Sequence, residues 1–237
     1  VKAAGATCPI LNMPIHVFPD PSQLTTAVVR EIIRECARAQ AERGVFHLAL
    51  SGGNTPQASY ALLTEAAIDW TRVQIWFSDE RCLPENDPQR NDTMAWQYLL
   101  REVALTSSQI YSIPAQLGPE SAAKRYTTLL NNAPVMDLTL LGMGEDGHTA
   151  SLFPDNPALL DEHLAVPVFN APKYPPERVS MGFTALNQAR RRLIMVAGVS
   201  KRPALQQIQQ GNPLPITRLI ESDWFIDAAA NDPDITN

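Results

Sequence analysis

The sequence predicts an α/β fold, one large domain around a mostly parallel sheet, and three observations predict it. Short apolar runs alternate along the chain with longer segments of 3.6-residue period. The runs are nearly continuous in apolar character, as parallel strands covered on both faces must be. Several of them end in glycine, asparagine or aspartate, the turn chemistry that feeds a strand into a helix. With 237 residues, 45% of them hydrophobic, the chain is long enough to bury about 70–75% of its unfolded surface around one core. Residues 1–237 are therefore taken as one domain.

The elements follow in order. Ile15-His16-Val17-Phe18 reads as a strand. Pro21-Ser22-Gln23-Leu24 opens a long helix through Ala27, Val28, Ile32, Cys36 and Ala39, ending near Gly44. Val45 to Leu50 is a buried strand, then comes Ser51-Gly52-Gly53-Asn54-Thr55-Pro56 and a helix through Ala58, Ala61, Leu62 and Leu63. Val73-Gln74-Ile75-Trp76-Phe77 is the next strand and runs straight into Ser78-Asp79-Glu80-Arg81. Helices are expected over about 92–101 and 121–131, and Val135 to Leu141 is a short apolar strand. Six prolines fall within 154–176, so that stretch reads as an irregular excursion over the sheet edge or over the site, a candidate lid. Val179 to Phe183 and Leu193 to Ala197 continue as strands, Lys201 to Gln210 as a helix, and Trp224-Phe225-Ile226-Asp227 as a last strand or short helix.

Composition excludes several classes. The formal net charge is −6, from 19 basic and 25 acidic residues, and the one basic block, Arg190-Arg191-Arg192, runs into a strand, so no nucleic-acid partner is expected. No window approaches 18 uninterrupted apolar residues and the first residues lack a signal-peptide core, so the chain is expected to be soluble, unexported and without a membrane partner. Cys8, Cys36 and Cys82 are widely spaced with no C-x-x-C, which points to reduced thiols in the cytoplasm. His16, His47, His148 and His163 show no ligand spacing, so no metal is expected. Nothing demands more than a monomer.

Chemistry concentrates at the ends of strands, where open α/β sheets bind ligands. The run from Leu140 to Pro154 leaves a strand through Gly142, Gly144 and Gly147 and carries Asp146 two residues before His148. Glycines permit close approach or positive φ, His148 has the side chain that titrates near neutrality, and Asp146 is placed to orient it. Gly142-x-Gly144-x-x-Gly147 also matches the dinucleotide fingerprint. Glu145 and Asp146 would then face the pyrophosphate, and the acidic residue expected about 20 positions on is missing, which disfavours nucleotide binding. A structural turn with a solvated histidine is the plain alternative.

Three further constellations give that turn company. Ser51-Gly52-Gly53-Asn54 precedes a helix with Thr55 as the expected cap and Pro56 at its first position, so backbone N–H groups and the helix dipole converge on an anion site. Asp79 and Arg81 follow the next strand, Arg81 suited to fork onto a phosphate and Asp79 to hold a sugar hydroxyl, against the plain reading of a surface ion pair. Lys201, one of four lysines, stands near a helix start within reach of the same anion; a lone lysine there is commonly solvated.

Leu48 to Pro56, Phe77 to Pro84 with Asn91 downstream, and Leu141 to Pro154 together resemble the signature blocks of the 6-phosphogluconolactonases, within the glucosamine-6-phosphate isomerase/6-phosphogluconolactonase family. Pro175-Pro176-Glu177-Arg178-Val179-Ser180 and Ala197-Gly198-Val199-Ser200-Lys201 are similar to the later blocks, so the resemblance covers about residues 15 to 227, in order. Glucosamine-6-phosphate deaminases share the Gly-Gly-x-Thr-Pro and histidine motifs, but theirs runs on into Ile-Ala-Phe-Asn-Glu-Pro. Here Thr149-Ala150-Ser151-Leu152-Phe153-Pro154 follows with no carboxylate at that glutamate, and the deaminase Asp-Glu-Tyr is Asp79-Glu80-Arg81.

The resemblance implies a Rossmann-like three-layer α/β/α domain related to the deaminase fold. It also implies hydrolysis of 6-phospho-D-glucono-1,5-lactone, the second step of the oxidative pentose phosphate pathway, without a cofactor. The phosphate would sit on Ser51, Gly52, Gly53 and Asn54 with Arg81, Lys201 and Arg178. His148 would act as general base on water, Asp146 would orient it, and N–H groups around Gly144 would hold the oxyanion. The rival expectations are a deaminase or isomerase of an amino-sugar phosphate and a non-catalytic sugar-phosphate sensor.

Overall fold

The computed structural model describes residues 13–231; Cys8 and the first residues of the chain, on which part of the cellular expectation rests, lie outside them. Strand β1 (Ile15–Phe18) leads into helix α1 (Pro21–Arg43). The Asp20 carboxylate caps this helix by accepting the Gln23 N–H at 2.9 Å, and Gly44 ends it at φ 80° with its N–H on the Gln40 carbonyl. That left-handed turn is one glycine adopts without strain. Of the stripe that the 3.6-residue spacing predicts, Val28, Ile32, Cys36 and Ala39 are buried, together with Leu24, while Ala27 is only half-buried.

Strand β2 (Phe46–Leu50), helix α2 (Asn54–Leu63) and strand β3 (Val73–Phe77) follow. Next come the short strand β4 (Asp79–Arg81), helix α3 (Asn91–Ala95), which continues through a π-helical turn (Trp96–Leu100), and helix α4 (Pro119–Asn131). The chain then runs through β5 (Leu138–Gly142), β6 (Ala165–Val168), β7 (Arg178–Met181) and α5 (Phe183–Gln188). It closes with β8 (Arg191–Val196), α6 (Arg202–Gln209) and β9 (Ser222–Asp227).

Six strands form one sheet in the order β1-β9-β8-β5-β2-β3, and every pairing in it is parallel. From β2 the chain steps outward to β3; from β5 it steps the opposite way, to β8 and then β9. Right-handed crossovers therefore place α1 and α2, which pack on each other, on one face and α6 on the other. The point where the two directions part lies between β2 and β5, which are hydrogen-bonded neighbours.

A second sheet, antiparallel in the order β4-β7-β6, corrects three sequence readings. Asp79 to Arg81 is a strand of its own rather than the tail of β3. The proline-rich stretch 154–176 contains β6, whose Pro167 is tolerated because an edge strand can lack an N–H. Phe183 starts α5 instead of ending a strand. This small sheet is welded onto the large one: Ser78 N–H donates to the Leu50 carbonyl at 2.8 Å and Met181 N–H to the Ser78 carbonyl at 2.7 Å. The open question at Trp224 resolves as strand β9. Among the described residues no helix is long and apolar enough to cross a membrane.

At the opposite end of the sheet, Asp137 ties β2 to β5. Its Oδ2 accepts the His47 N–H at 2.9 Å and its Oδ1 accepts Arg43 Nε at 3.0 Å, in a side chain that is almost wholly buried. Asp137→Ala leaves the His47 N–H without its acceptor and the half-buried Arg43 guanidinium with Glu42 alone. We expect a loss of about 2–4 kcal/mol in urea unfolding; a loss below about 1 kcal/mol, the size of an exposed ion pair, would show that the tie is not structural.

Candidate active site

The loops after β2 and β5 open between them a crevice of about 530 Å³. One end gathers backbone donors and cations. Gly53, at φ 109°, is the residue before α2 and makes no side-chain cap, so the helix starts at Asn54 and the expected cap at Thr55 is corrected. The first N–H groups of the helix have no intrahelical carbonyl and face a position where negative charge is favoured. Tyr60 fixes the loop before them: its hydroxyl oxygen accepts the Ser51 N–H at 2.9 Å and its O–H donates to the Ser51 carbonyl at 2.6 Å. Ser51, Gly52, Gly53 and Asn54 all line the crevice.

Cations border the same end. Arg81 reaches it from β4, with Nη1 donating to the Gln89 carbonyl at 2.5 Å. Lys201 reaches it from the turn after β8. Burial pulls the Lys201 ammonium below the ordinary lysine range, Lys173 adds to that, and Glu145 opposes it. Arg178 also lines the crevice, but its Nε and Nη2 are engaged by the Pro175 and Lys173 carbonyls at 3.1 and 2.9 Å, so it grips the segment that brings Lys173 and Tyr174 to the rim.

Asp79 is placed differently from the sequence reading. It borders the crevice, yet it is almost wholly buried and both of its oxygens already accept protein hydrogen bonds. Ser151 Oγ donates to Oδ2 at 2.6 Å, and Asn91 Nδ2 and the Ser78 hydroxyl donate to Oδ1 at 3.2 Å. The carboxylate braces β4 against the loop after β5 rather than waiting for a hydroxyl.

At the other end His148 Nδ1 lies 2.5 Å from Asp146 Oδ1, and the imidazole rests on the Phe153 ring with centroids 4.4 Å apart. Partial burial raises the Asp146 carboxyl, but the hydrogen bond and charge of His148 outweigh it and hold the group down at about 2. An ionised carboxylate only accepts, so Nδ1 carries the proton shared with it and Nε2 is the other ring nitrogen. Asp146 stands behind the imidazole; His148 itself lines the crevice.

Gly144 is needed for space. A Cβ there would lie 2.0 Å from His148 Nδ1 and 2.6 Å from Asp146 Oδ1. Its N–H, expected to hold an oxyanion, instead donates to the His148 carbonyl at 2.8 Å, which closes the turn and removes that donor from the crevice. Gly52 plays the same part at the anion end, where a Cβ would meet Asn91 Oδ1 at 2.1 Å.

The profile of the glucosamine-6-phosphate isomerase/6-phosphogluconolactonase family matches residues 19–225. The chain belongs to that family. It is 36% identical over 214 residues to a 6-phosphogluconolactonase of Streptomyces coelicolor, covering 82% of each chain. Over 236 residues it is 34% identical to the 6-phosphogluconolactonase of Bos taurus, covering 91% of this chain and 92% of that one. The crystal structure of 6-phosphogluconolactonase from Thermotoga maritima superposes with a TM-score of 0.84 at 27% identity, covering 91% of this chain and all of the other. A monomeric glucosamine-6-phosphate deaminase has a TM-score of 0.80 at 21% identity, covering 92% and 98%, a likeness of fold.

Within this member of the 6-phosphogluconolactonase family the fold gathers into one crevice the residues picked from four separate strand ends, apart from Asp146, which stands behind His148. Lys173 and Tyr174 at the rim, Ser151 as the donor to Asp79, and Asn91 beside Gly52 were not among them. Asn91 lay inside a recognised block and Lys173 is one of only four lysines, the signals that pointed to each.

Gly144→Ala tests the fit of the His148–Asp146 pair. The new methyl pushes the imidazole away, and the carboxyl, still partly buried, rises from about 2 to about 4 or above. A depressed carboxylate stabilises the fold above its ordinary pKa and loses that contribution as pH falls towards about 2, so the variant lacks this acid-dependent part of its stability. Carboxyl NMR titration checks the shift; a carboxyl still at about 2 would mean the glycine is dispensable.

Proposed function

We propose that the chain hydrolyses 6-phospho-D-glucono-1,5-lactone to 6-phospho-D-gluconate. The observation that carries the reading is the 2.5 Å His148–Asp146 pair at one end of a crevice whose other end presents a helix N-terminus, Arg81 and Lys201. The relatives' names and the sequence after His148, with no carboxylate in the deaminase position, favour the lactone over an amino sugar.

In this reading the phosphate rests on Ser51, Gly52, Gly53 and Asn54, with Arg81 and Lys201 supplying charge. The lactone carbonyl then lies by His148. Nε2 takes a proton from a water molecule as its oxygen bonds to C1. The tetrahedral intermediate collapses with cleavage of the C1–ring oxygen bond, and the proton passes from Nε2 to the departing oxygen. Asp146 holds the tautomer and balances the imidazolium formed in between. With the Gly144 N–H tied back to the His148 carbonyl, that group does not hold the developing oxyanion. The working unit is read as a monomer, since nothing in the sequence demands more, and as cytoplasmic from its widely spaced cysteines.

The test is hydrolysis of freshly generated lactone, coupled to oxidation of the 6-phosphogluconate formed and corrected for spontaneous opening. His148→Ala should lower kcat about 100- to 10,000-fold, the range for loss of a general base. Arg81→Ala should chiefly raise KM, roughly 10- to 100-fold for a charge-assisted hydrogen bond. Wild-type rates at background, or full turnover in His148→Ala, would overturn the reading.

A further inference from the structure

We propose that Glu80 is a positioning residue for the anion end of the crevice, clamping strand β4 to the first turn of α3 so that Arg81 and Asn91 meet the 51–53 loop at fixed distance. The inference rests on the functional reading above for the identity of the anion and on geometry for the rest.

Along β4 the side chains alternate: Asp79 and Arg81 border the crevice, while Glu80 is completely buried. Alternation alone sends Glu80 to the opposite face of the strand. There its carboxylate accepts three backbone N–H groups from two segments. Oε1 takes the Arg81 N–H at 2.8 Å and the Asn91 N–H at 2.7 Å, and Oε2 takes the Asp92 N–H at 2.8 Å. Arg90 lies 3.8 Å away, itself held by Asp92 at 2.7 Å and by the Ile113 and Leu83 carbonyls at 3.1 and 3.2 Å.

The two segments need such a clamp. Residues 82–90 join β4 to α3 without a helix or strand, and a connection of that kind leaves the relative position of its ends open. Glu80 fixes both ends at once. From Asn91, once placed, Nδ2 reaches the Asp79 carbonyl at 2.8 Å, and its amide fills the space left by the missing Cβ of Gly52. From β4, the Arg81 backbone is pinned at the residue whose guanidinium faces the crevice. Burial and the nearby Asp92 charge push the Glu80 carboxyl up to about 8, and the three N–H donors work against that shift, since only the ionised form offers both oxygens without a proton of its own. Glu80 is not among the residues lining the crevice, so its influence on an anion passes through its neighbours.

The test pairs binding with turnover. Inorganic phosphate is titrated into wild type, Glu80→Gln, Arg81→Ala and the double variant by calorimetry, and the same four are assayed on the phosphorylated lactone. Glu80→Gln keeps the length but turns one acceptor into a donor that faces an N–H. Phosphate Kd and lactone KM are expected to rise together, about tenfold, the equivalent of one weakened charge-assisted contact, with kcat within about threefold. If Glu80 acts through Arg81, its substitution adds less than about twofold in the Arg81→Ala background, the non-additivity of coupled sites. Unchanged Kd and KM, a fall in kcat at constant KM, or full additivity overturns the proposal. Should Glu80→Gln lose its near-UV circular dichroism, Glu80→Asp, which keeps both oxygens on a shorter arm, is read by the same criteria. A wild type that binds phosphate in this pattern yet leaves the lactone at its spontaneous rate would refute the lactonase reading and leave the clamp standing.

Discussion

Everything in the crevice depends on one constraint of the sheet: β2 and β5 are adjacent and parallel, but the chain leaves them in opposite directions. Two loops that diverge from neighbouring strand ends cannot fill the space between them. One of those loops starts a helix and so offers unpaired N–H groups; the other has no helix to start and folds back on itself through Gly144 N–H and the His148 carbonyl. The proposed anion site and the proposed base therefore stand side by side because of strand order. The chemistry is divided between them by what each loop has to do next.

The small antiparallel sheet turns that gap into a site. It is anchored at Ser78, whose backbone bonds both to Leu50 at the end of β2 and to Met181 at the end of β7, so its wall is registered to the sheet from which the loops emerge. Ser151 then ties the histidine loop to that wall twice, through Asp79 at 2.6 Å and through the Ser180 hydroxyl, which accepts its N–H at 3.2 Å. The imidazole is consequently held from behind by Asp146, from the side by Phe153, and at the base by a loop bonded to two strands of another sheet. In the proposed reaction a base held in this way needs no reorientation when a substrate arrives.

How much of this the sequence disclosed follows from the range of the interactions involved. Helix α1 was legible from Pro21 to Gly44 because Pro21, the spacing of Val28 to Ala39 and Gly44 each act within a turn or two of chain, while the Asp20 cap emerged only from the structure. The four strand ends were legible because glycine, arginine and histidine advertise their uses. The small sheet was not: β4 has three residues and β6 carries Pro167, so neither shows a strand pattern, and both exist only by pairing with β7. Asp79 looked like a ligand because its donors, Ser151 and Asn91, are distant in sequence. Gly144 looked like an oxyanion donor because no pattern tells whether a turn N–H points out or is tied back. Thr55 looked like the cap since threonine commonly is one, whereas Gly53 at positive φ starts the helix earlier.

The distribution of charge points the same way. At a net −6 the molecule as a whole repels a sugar phosphate, and at physiological salt that repulsion is screened beyond about 8 Å. Attraction has to be local. Arg81, Lys173, Lys201 and Arg178 all border the crevice, while two of the nearby carboxylates are occupied: Asp146 by His148 and Asp79 by Ser151 and Asn91. An engaged carboxylate still carries its charge, so it opposes an anion unless it lies farther off than the cations. Asp146 satisfies that by standing behind the imidazole, and Asp79 by turning its oxygens to donors in the wall. Glu145 also lines the crevice and acts on Lys201, so the field an anion meets is that of the arginines, the lysines and the start of α2, set against this one carboxylate. This is why a chain that is acidic overall can carry an anion site without a single basic run in its sequence beyond Arg190 to Arg192, which lies at the far end of the sheet.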